Sequence, residues 1–277
     1  MKKLIIALCL SLALFGCQSS ANADSKNVKR KVAPQAYSFH KTYTVEEMVE
    51  KLKGCDIDGV ECFPGQAVSK SMPGVKMNPK MNRQQRDFVK KLFRDANIKI
   101  VSFGVTNTKN EAEVKELCEF AKDMGFDKIM TEDPVARFPI WEKYGKQYGV
   151  TMCVHHHTNS SSNQYWDPET LKKFVSGYEH VKSCPDVGHW SRCGIDPVKG
   201  LKTLEGTIGS VHFKDQKKFG AEKNDPAVFG EGELDVKGML AELDRQGFDG
   251  YFVIEYEADW DNNLPLIKKC VEFLRKN

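Results

Sequence analysis

The 277 residues are 40% hydrophobic and 29% charged, a balance that supports one large core and excludes a chain disordered throughout. The formal net charge of +3 falls by two without Lys2 and Lys3. The remainder is near neutral, and no run of basic residues interleaved with aromatics points to a nucleic-acid partner.

Residues 1–17 read as an export signal. Lys2 and Lys3 give a basic start, residues 4–15 a short apolar core, and Leu14-Phe15-Gly16-Cys17 an ending like a bacterial lipobox. The apolar core is too short to span a bilayer. Cys17 is the expected lipidation site, and the chain is expected to be an exported lipoprotein, periplasmic or on the outer membrane, held to a membrane only by its lipid. Residues 18–32 are polar and read as a flexible tether; residues 33–277 read as one domain. Nine cysteines are present. Setting aside Cys9 and Cys17 leaves an odd set, most of it inside apolar patterns that suit small buried side chains; a Cys184–Cys193 pair stays open.

From residue 33 onward, short β-rich runs alternate with amphipathic helical patterns about every thirty residues, the mark of repeated βα units. The strands are predicted at 35–39, 59–62, 99–105, 128–132, 150–157, 181–186, 208–214 and 251–256. Helices are predicted at 45–52, 84–96, 111–124, 139–148, 167–175, 197–204, 236–246 and 264–275. Thr44 with Glu47 forms a capping box before the first helix, and Pro168 suits a first turn, where its missing N–H costs little. Eight units predict an α/β fold, a closed single-domain (β/α)8 TIM barrel. No glycine-rich phosphate loop follows the first strand, which weighs against an open doubly wound sheet. The connection 215–233 is long, and a lid or a solvated excursion fits it equally well.

In such a barrel the reactive groups gather where strands end. Those places carry Glu61, Glu132, His155, His157, Asp186, His189, His212, Lys214 and Glu255. Ionisable groups pointing into an apolar barrel are costly unless paired, and one divalent cation would pair several at once. Carboxylates with neutral imidazoles suit Mn, Co, Zn, Mg or Fe. Singly, each residue has a plain structural role available: a hydrogen-bonded strand histidine, an Asp-capped turn at Asp186, a loop salt bridge at Glu61 or Glu132.

Three stretches are more specific: Asp186-Val-Gly-His189-Trp-Ser-Arg-Cys-Gly-Ile-Asp196-Pro197, Ser210-Val-His212-Phe-Lys214-Asp215 and Val253-Ile-Glu255-Tyr-Glu257. With Gly59-Val-Glu61 and Val154-His-His-His157, they resemble the sugar phosphate isomerase/epimerase family of xylose-isomerase-like barrels over nearly all of residues 33–277. The resemblance implies one divalent metal held by His155, Asp186, His212 and Glu255. It also implies a metal-dependent sugar isomerase or epimerase in which proton removal beside a carbonyl gives an enediolate. Glu255, Glu132 and Lys214 are the expected catalytic groups, and His189, Glu61, His157 and Trp190 the expected substrate contacts. The fifth-strand position is commonly Glu in the epimerases and is His155 here. A metal-dependent lyase or hydrolase of 3-keto-glycosides is therefore the first alternative, and a carbohydrate-binding lipoprotein without catalysis the second. The expected partner is a small sugar, keto-sugar or glycoside; the sequence leaves a homo-oligomer open.

Overall fold

The computed structural model describes residues 29–160 and 164–277. The export signal, Cys17 and the tether as far as residue 28 lie outside the described residues. Strands β1 (Lys31–Pro34), β2 (Gly59–Cys62), β3 (Lys99–Phe103), β4 (Lys128–Thr131), β5 (Thr151–Val154), β6 (Val181–Ser183) and β7 (Val211–Phe213) follow one another along the chain. A short antiparallel ribbon, β8 (Asp215–Gln216) with β9 (Pro226–Ala227), comes next. The eighth strand of the ring is β10 (Tyr251–Ile254).

β2 to β6 pair in sequence order, and β10 lies between β1 and β7. Isolated parallel bridges join the two arcs, Gln35 to Glu61 on one side and Ser183 to Ile208 and Asp186 to His212 on the other. The sheet thereby closes on itself, as eight parallel strands with no free edge must. Around it stand α1 (Val45–Leu52), α2 (Arg83–Asp95), α3 (Glu111–Met124), α4 (Phe138–Tyr148), α5 (Pro168–Val175), α6 (Val187–Arg192), α7 (Pro197–Thr203), α8 (Val236–Arg245) and α9 (Leu264–Lys276). Helix α1 shows why they form and where they pack. Thr44 Oγ1 accepts the Glu47 N–H at 3.2 Å and Glu47 Oε2 accepts the Thr44 N–H at 3.0 Å. Val45, Met48, Val49 and Leu52 then make one buried stripe against the barrel.

Two local expectations are corrected. The first strand is Lys31–Pro34, and Ala36–Phe39 is a 3-10 turn. The Gln35 side chain accepts the Tyr37 N–H at 2.6 Å and so diverts the backbone from extended geometry. Lys31 and fully buried Val32 therefore belong to the barrel and not to the tether. The second correction is α6, six residues long, which follows β6 where only a turn was considered. Asp186 Oδ1 caps it by accepting the His189 N–H at 2.9 Å.

The long connection is organised by one carboxylate. Asp215, buried, accepts backbone N–H bonds from Gly230, Gly232, Leu234 and Gln216. A Cβ at Gly232 would fall 2.3 Å from Asp215 Oδ1, so only glycine fits there. All seven described cysteines are free, and Cys184 and Cys193 do not pair. No described helix is long and apolar enough to cross a membrane.

Candidate metal centre

The C-terminal ends of the strands deliver polar side chains to a cavity of about 300 Å³. Its walls include Tyr37, Phe63, Asn107, His157, His189 and Glu257. At its floor, one donor atom from each of His155, Asp186, His212 and Glu255 lies within 4.8 Å of the others. The chain brings these four together from the ends of β5, β6, β7 and β10.

Both imidazoles are turned by a carboxylate behind them. His155 Nδ1 is 2.9 Å from Glu132 Oε1, and His212 Nε2 is 2.8 Å from Glu61 Oε1. An ionised carboxylate only accepts, so in the neutral form that a metal requires each imidazole spends its N–H on it and turns the lone pair of the other nitrogen toward the cluster. His155 Nε2 then lies 3.5 Å, and His212 Nδ1 3.8 Å, from the same Asp186 Oδ2. His155 Nε2 is buried without a hydrogen-bond partner, and Asp186 Oδ2, buried too, has only the Lys214 ammonium at 2.9 Å. One orphaned imidazole nitrogen converging with a second imidazole and two carboxylates, and further carboxylates orienting the imidazoles from outside, is the chemistry of a divalent cation site. The residues present fit the metal that the sequence implied.

Lys214 governs the charge. Its ammonium lies 2.9 Å from Asp186 Oδ2, 2.7 Å from Glu255 Oε2 and 2.9 Å from Glu257 Oε2. Burial alone would raise the Asp186 carboxyl, but Lys214 together with His189, His155 and His212 holds it well below the usual range. Burial likewise would lower Lys214, and the carboxylates reverse the direction. Burial also pushes Glu132 up, and the bonds from His155 and His157 overcome it and hold the carboxyl low. His156 points the other way: burial drives it down to about 3. It is neutral, and its Nε2 accepts the Asp186 N–H at 3.0 Å.

Several expected roles change with this geometry. Glu61 is fully buried beneath His212 and takes further bonds from Gln35 Nε2 at 3.1 Å and Ser102 Oγ at 2.6 Å. It cannot touch substrate. Trp190 is no sugar wall either: it is fully buried, stacked on His156 at 5.2 Å, with its indole N–H given to the Trp166 carbonyl at 2.9 Å. Glu132 is engaged through Oε1 by both His155 and His157. His157, His189 and Glu132 do line the cavity. Tyr37, Phe63, Asn107 and Glu257 are cavity residues beyond those expected from the sequence; of them only Glu257 carries a signal, two residues past Glu255 on the same face of an extended strand end.

The Glu61→Gln variant keeps the shape and removes the charge behind His212. Its affinity for a divalent cation should fall by about 10- to 100-fold, read by competition with a chromophoric chelator. Unchanged affinity would mean that His212 does not depend on Glu61.

Residues 49–277 match the family described as xylose isomerase-like TIM barrel. An inosose dehydratase of Mesomycoplasma hyopneumoniae is 27% identical over 150 residues, 48% of this chain and 50% of that protein. The chain spans about half the length of the curated relatives it matches. An uncharacterised protein of Parabacteroides distasonis superposes with TM-score 0.72 at 28% identity, covering 90% of this chain and 99% of its own. The IOLI protein, solved with a zinc atom, has TM-score 0.70 over 89% of this chain and 98% of its own; at 16% identity that likeness is of fold alone.

Proposed function

The chain belongs to the xylose isomerase-like TIM barrel family, and from that premise we propose that it is a metal-dependent lyase. Its substrates would be small keto-polyols or keto-glycosides, from which it removes the proton beside the carbonyl and expels the β-oxygen substituent. This reverses the order the motifs alone suggested, in which an isomerase led.

One observation carries the choice. Epimerisation through opposed acid/base groups needs a free carboxylate on each face of the substrate. Across the barrel from Glu255, the fifth-strand position is His155 in place of a carboxylate, and Glu132 stands behind that imidazole, bound to it through Oε1. The other cavity carboxylates, Glu255 and Glu257, come from one strand end and share one ammonium. The equipment is one-sided, which suits elimination.

A divalent cation, when bound, supplies a Lewis acid to the carbonyl and adjoining hydroxyl oxygens. Glu255 Oε2 takes the contacts with His212 and Lys214, while Oε1 has no hydrogen bond among the described residues and is the base. It receives the proton from carbon as the bond to the β-oxygen breaks. Lys214 gives a proton to the departing oxygen, releasing water or an alcohol. Lys214, 2.7 Å from Glu255 Oε2, then recovers a proton as the one held by the Glu255 carboxyl is passed on, restoring both groups. His189 and His157 hold the substrate's remaining oxygens. The inosose dehydratase relatives act by a loss of water, which supports this reading.

The test is product analysis of the metal-loaded enzyme with inosose, 3-keto-glucosides and free ketoses in D2O. Loss of one water from inosose, or release of an aglycone, is expected, and EDTA should abolish it. An isomeric product, unchanged in composition except for deuterium taken up from solvent, would make the protein an isomerase or epimerase and overturn the proposal. Binding with no conversion of any of the three would leave a carbohydrate-binding protein.

A further inference from the structure

The sequence after Asp186 contains an arginine whose position has a chemical meaning. Arg192 ends α6, and its Nη1 lies 3.2 Å from His189 Nδ1. A guanidinium has donors only and stays charged, so His189 Nδ1 must be the acceptor and carry a lone pair. A protonated imidazole has no lone pair to offer and would repel the guanidinium. His189 is thereby fixed as the neutral ring with its proton on Nε2. That nitrogen is 3.9 Å from Asp186 Oδ2, too far for a hydrogen bond. The N–H is therefore free for an oxygen of the substrate in the cavity that His189 lines.

The same guanidinium is tied to the β8–β9 ribbon. Arg192 Nε donates to the Glu222 carbonyl at 2.8 Å, and the Gly220 N–H donates to the Ser191 carbonyl at 3.0 Å. From that loop Asn224 Nδ2 also reaches Glu257 Oε2, at 3.1 Å. One loop thus touches the site twice, once directly at Glu257 and once through Arg192.

We propose that Arg192 is a positioning residue that sets the tautomer of His189, turning its Nε2–H toward the substrate, and ties that setting to the seating of loop 217–225 on α6. The functional half of this inference rests on the lyase reading; the tautomer does not.

The experiment uses full-length, zinc-loaded, 15N-histidine-labelled protein, with the His189 signals identified by their loss in His189→Gln. Wild type should show an unprotonated Nδ1 and a protonated Nε2. In Arg192→Met the two tautomers should mix, and exchange of the Gly220 amide should quicken. Arg192→Lys, which keeps a donor but cannot serve both acceptors, should restore the tautomer only in part. On inosose, kcat/KM of Arg192→Met should drop by about 10- to 100-fold, the size of effect that removal of an orienting partner has at comparable sites, with KM taking most of the change. An Nδ1–H tautomer or an imidazolium in the wild type would overturn the proposal. So would an Arg192→Met spectrum identical to wild type. If wild type converts neither inosose nor a 3-keto-glucoside while the tautomer responds to Arg192, the lyase reading falls and the positioning role stands.

Discussion

Replacing Asp186 by asparagine is expected to cost the protein its divalent ion while leaving α6 in place. Asp186 is fully buried, and its Oδ2 is the atom that His155, His212 and Lys214 all approach. Asparagine keeps a cap for the His189 N–H, since Asn serves as well as Asp at a helix N-cap, but it lacks the charge that balances a dication. Affinity should fall by more than the roughly 100-fold that loss of an outer partner brings. Turnover should fall on the order of 10²- to 10³-fold, the scale set by removing one group that stabilises developing charge. Metal analysis of the purified variant and steady-state kinetics check both. Asp186→Ala removes the cap as well, and should melt lower than Asp186→Asn by about 1 kcal/mol, roughly 2 to 4 °C at this chain length. An asparagine variant that retains stoichiometric metal would remove Asp186 from the ligand set.

Lys214→Met should behave in the opposite way. Without the ammonium, Asp186, Glu255 and Glu257 face one another with no shared cation. Lys214 and Asp186 are essentially buried, so the metal-free variant should lose about 3–5 kcal/mol, the cost of leaving buried charge uncompensated. A divalent ion would replace the missing charge. Saturating metal should therefore raise the melting temperature of Lys214→Met by more than it raises that of wild type, because a ligand stabilises in proportion to its preference for the folded state. Turnover should stay down by roughly 10²- to 10⁴-fold even when metal is bound, since the proton donor is gone. Melting curves with and without EDTA decide the matter: equal metal-dependent shifts in variant and wild type would show that Lys214 does not neutralise this cluster.

The barrel was legible because its evidence is local. Short β-rich runs, capped helices such as the one opened by Thr44 and Glu47, and polar residues recurring at strand ends can each be read within a few residues. The meeting of His155, Asp186, His212 and Glu255 followed from placing strand ends on a common rim. What failed to show was anything decided by which neighbour a side chain finds across the ring. Glu61 bonds a histidine 151 positions away, and nothing near it in sequence separates a rim carboxylate from one sealed under the floor. Trp190 stood beside chemically loaded residues, but α6 turns its ring inward; a Cβ at Gly200 would meet that ring at 2.7 Å. The first strand was misplaced because Gln35 caps its own turn, a choice made by one side chain.

The bridge at Gln35–Glu61 and the bridge at Asp186–His212 are the two sutures where the arcs of the ring meet without a continuous ladder. The bond from Glu61 to His212 runs through the interior from one suture to the other. His212, one of the four candidate ligands, thus also works with Glu61 as a cross-brace, holding the arcs of the cylinder together at the C-terminal ends of the strands. Architecture and the candidate site draw on the same few atoms there, so a change at His212 or Glu61 is at once a change in how the cylinder is shut.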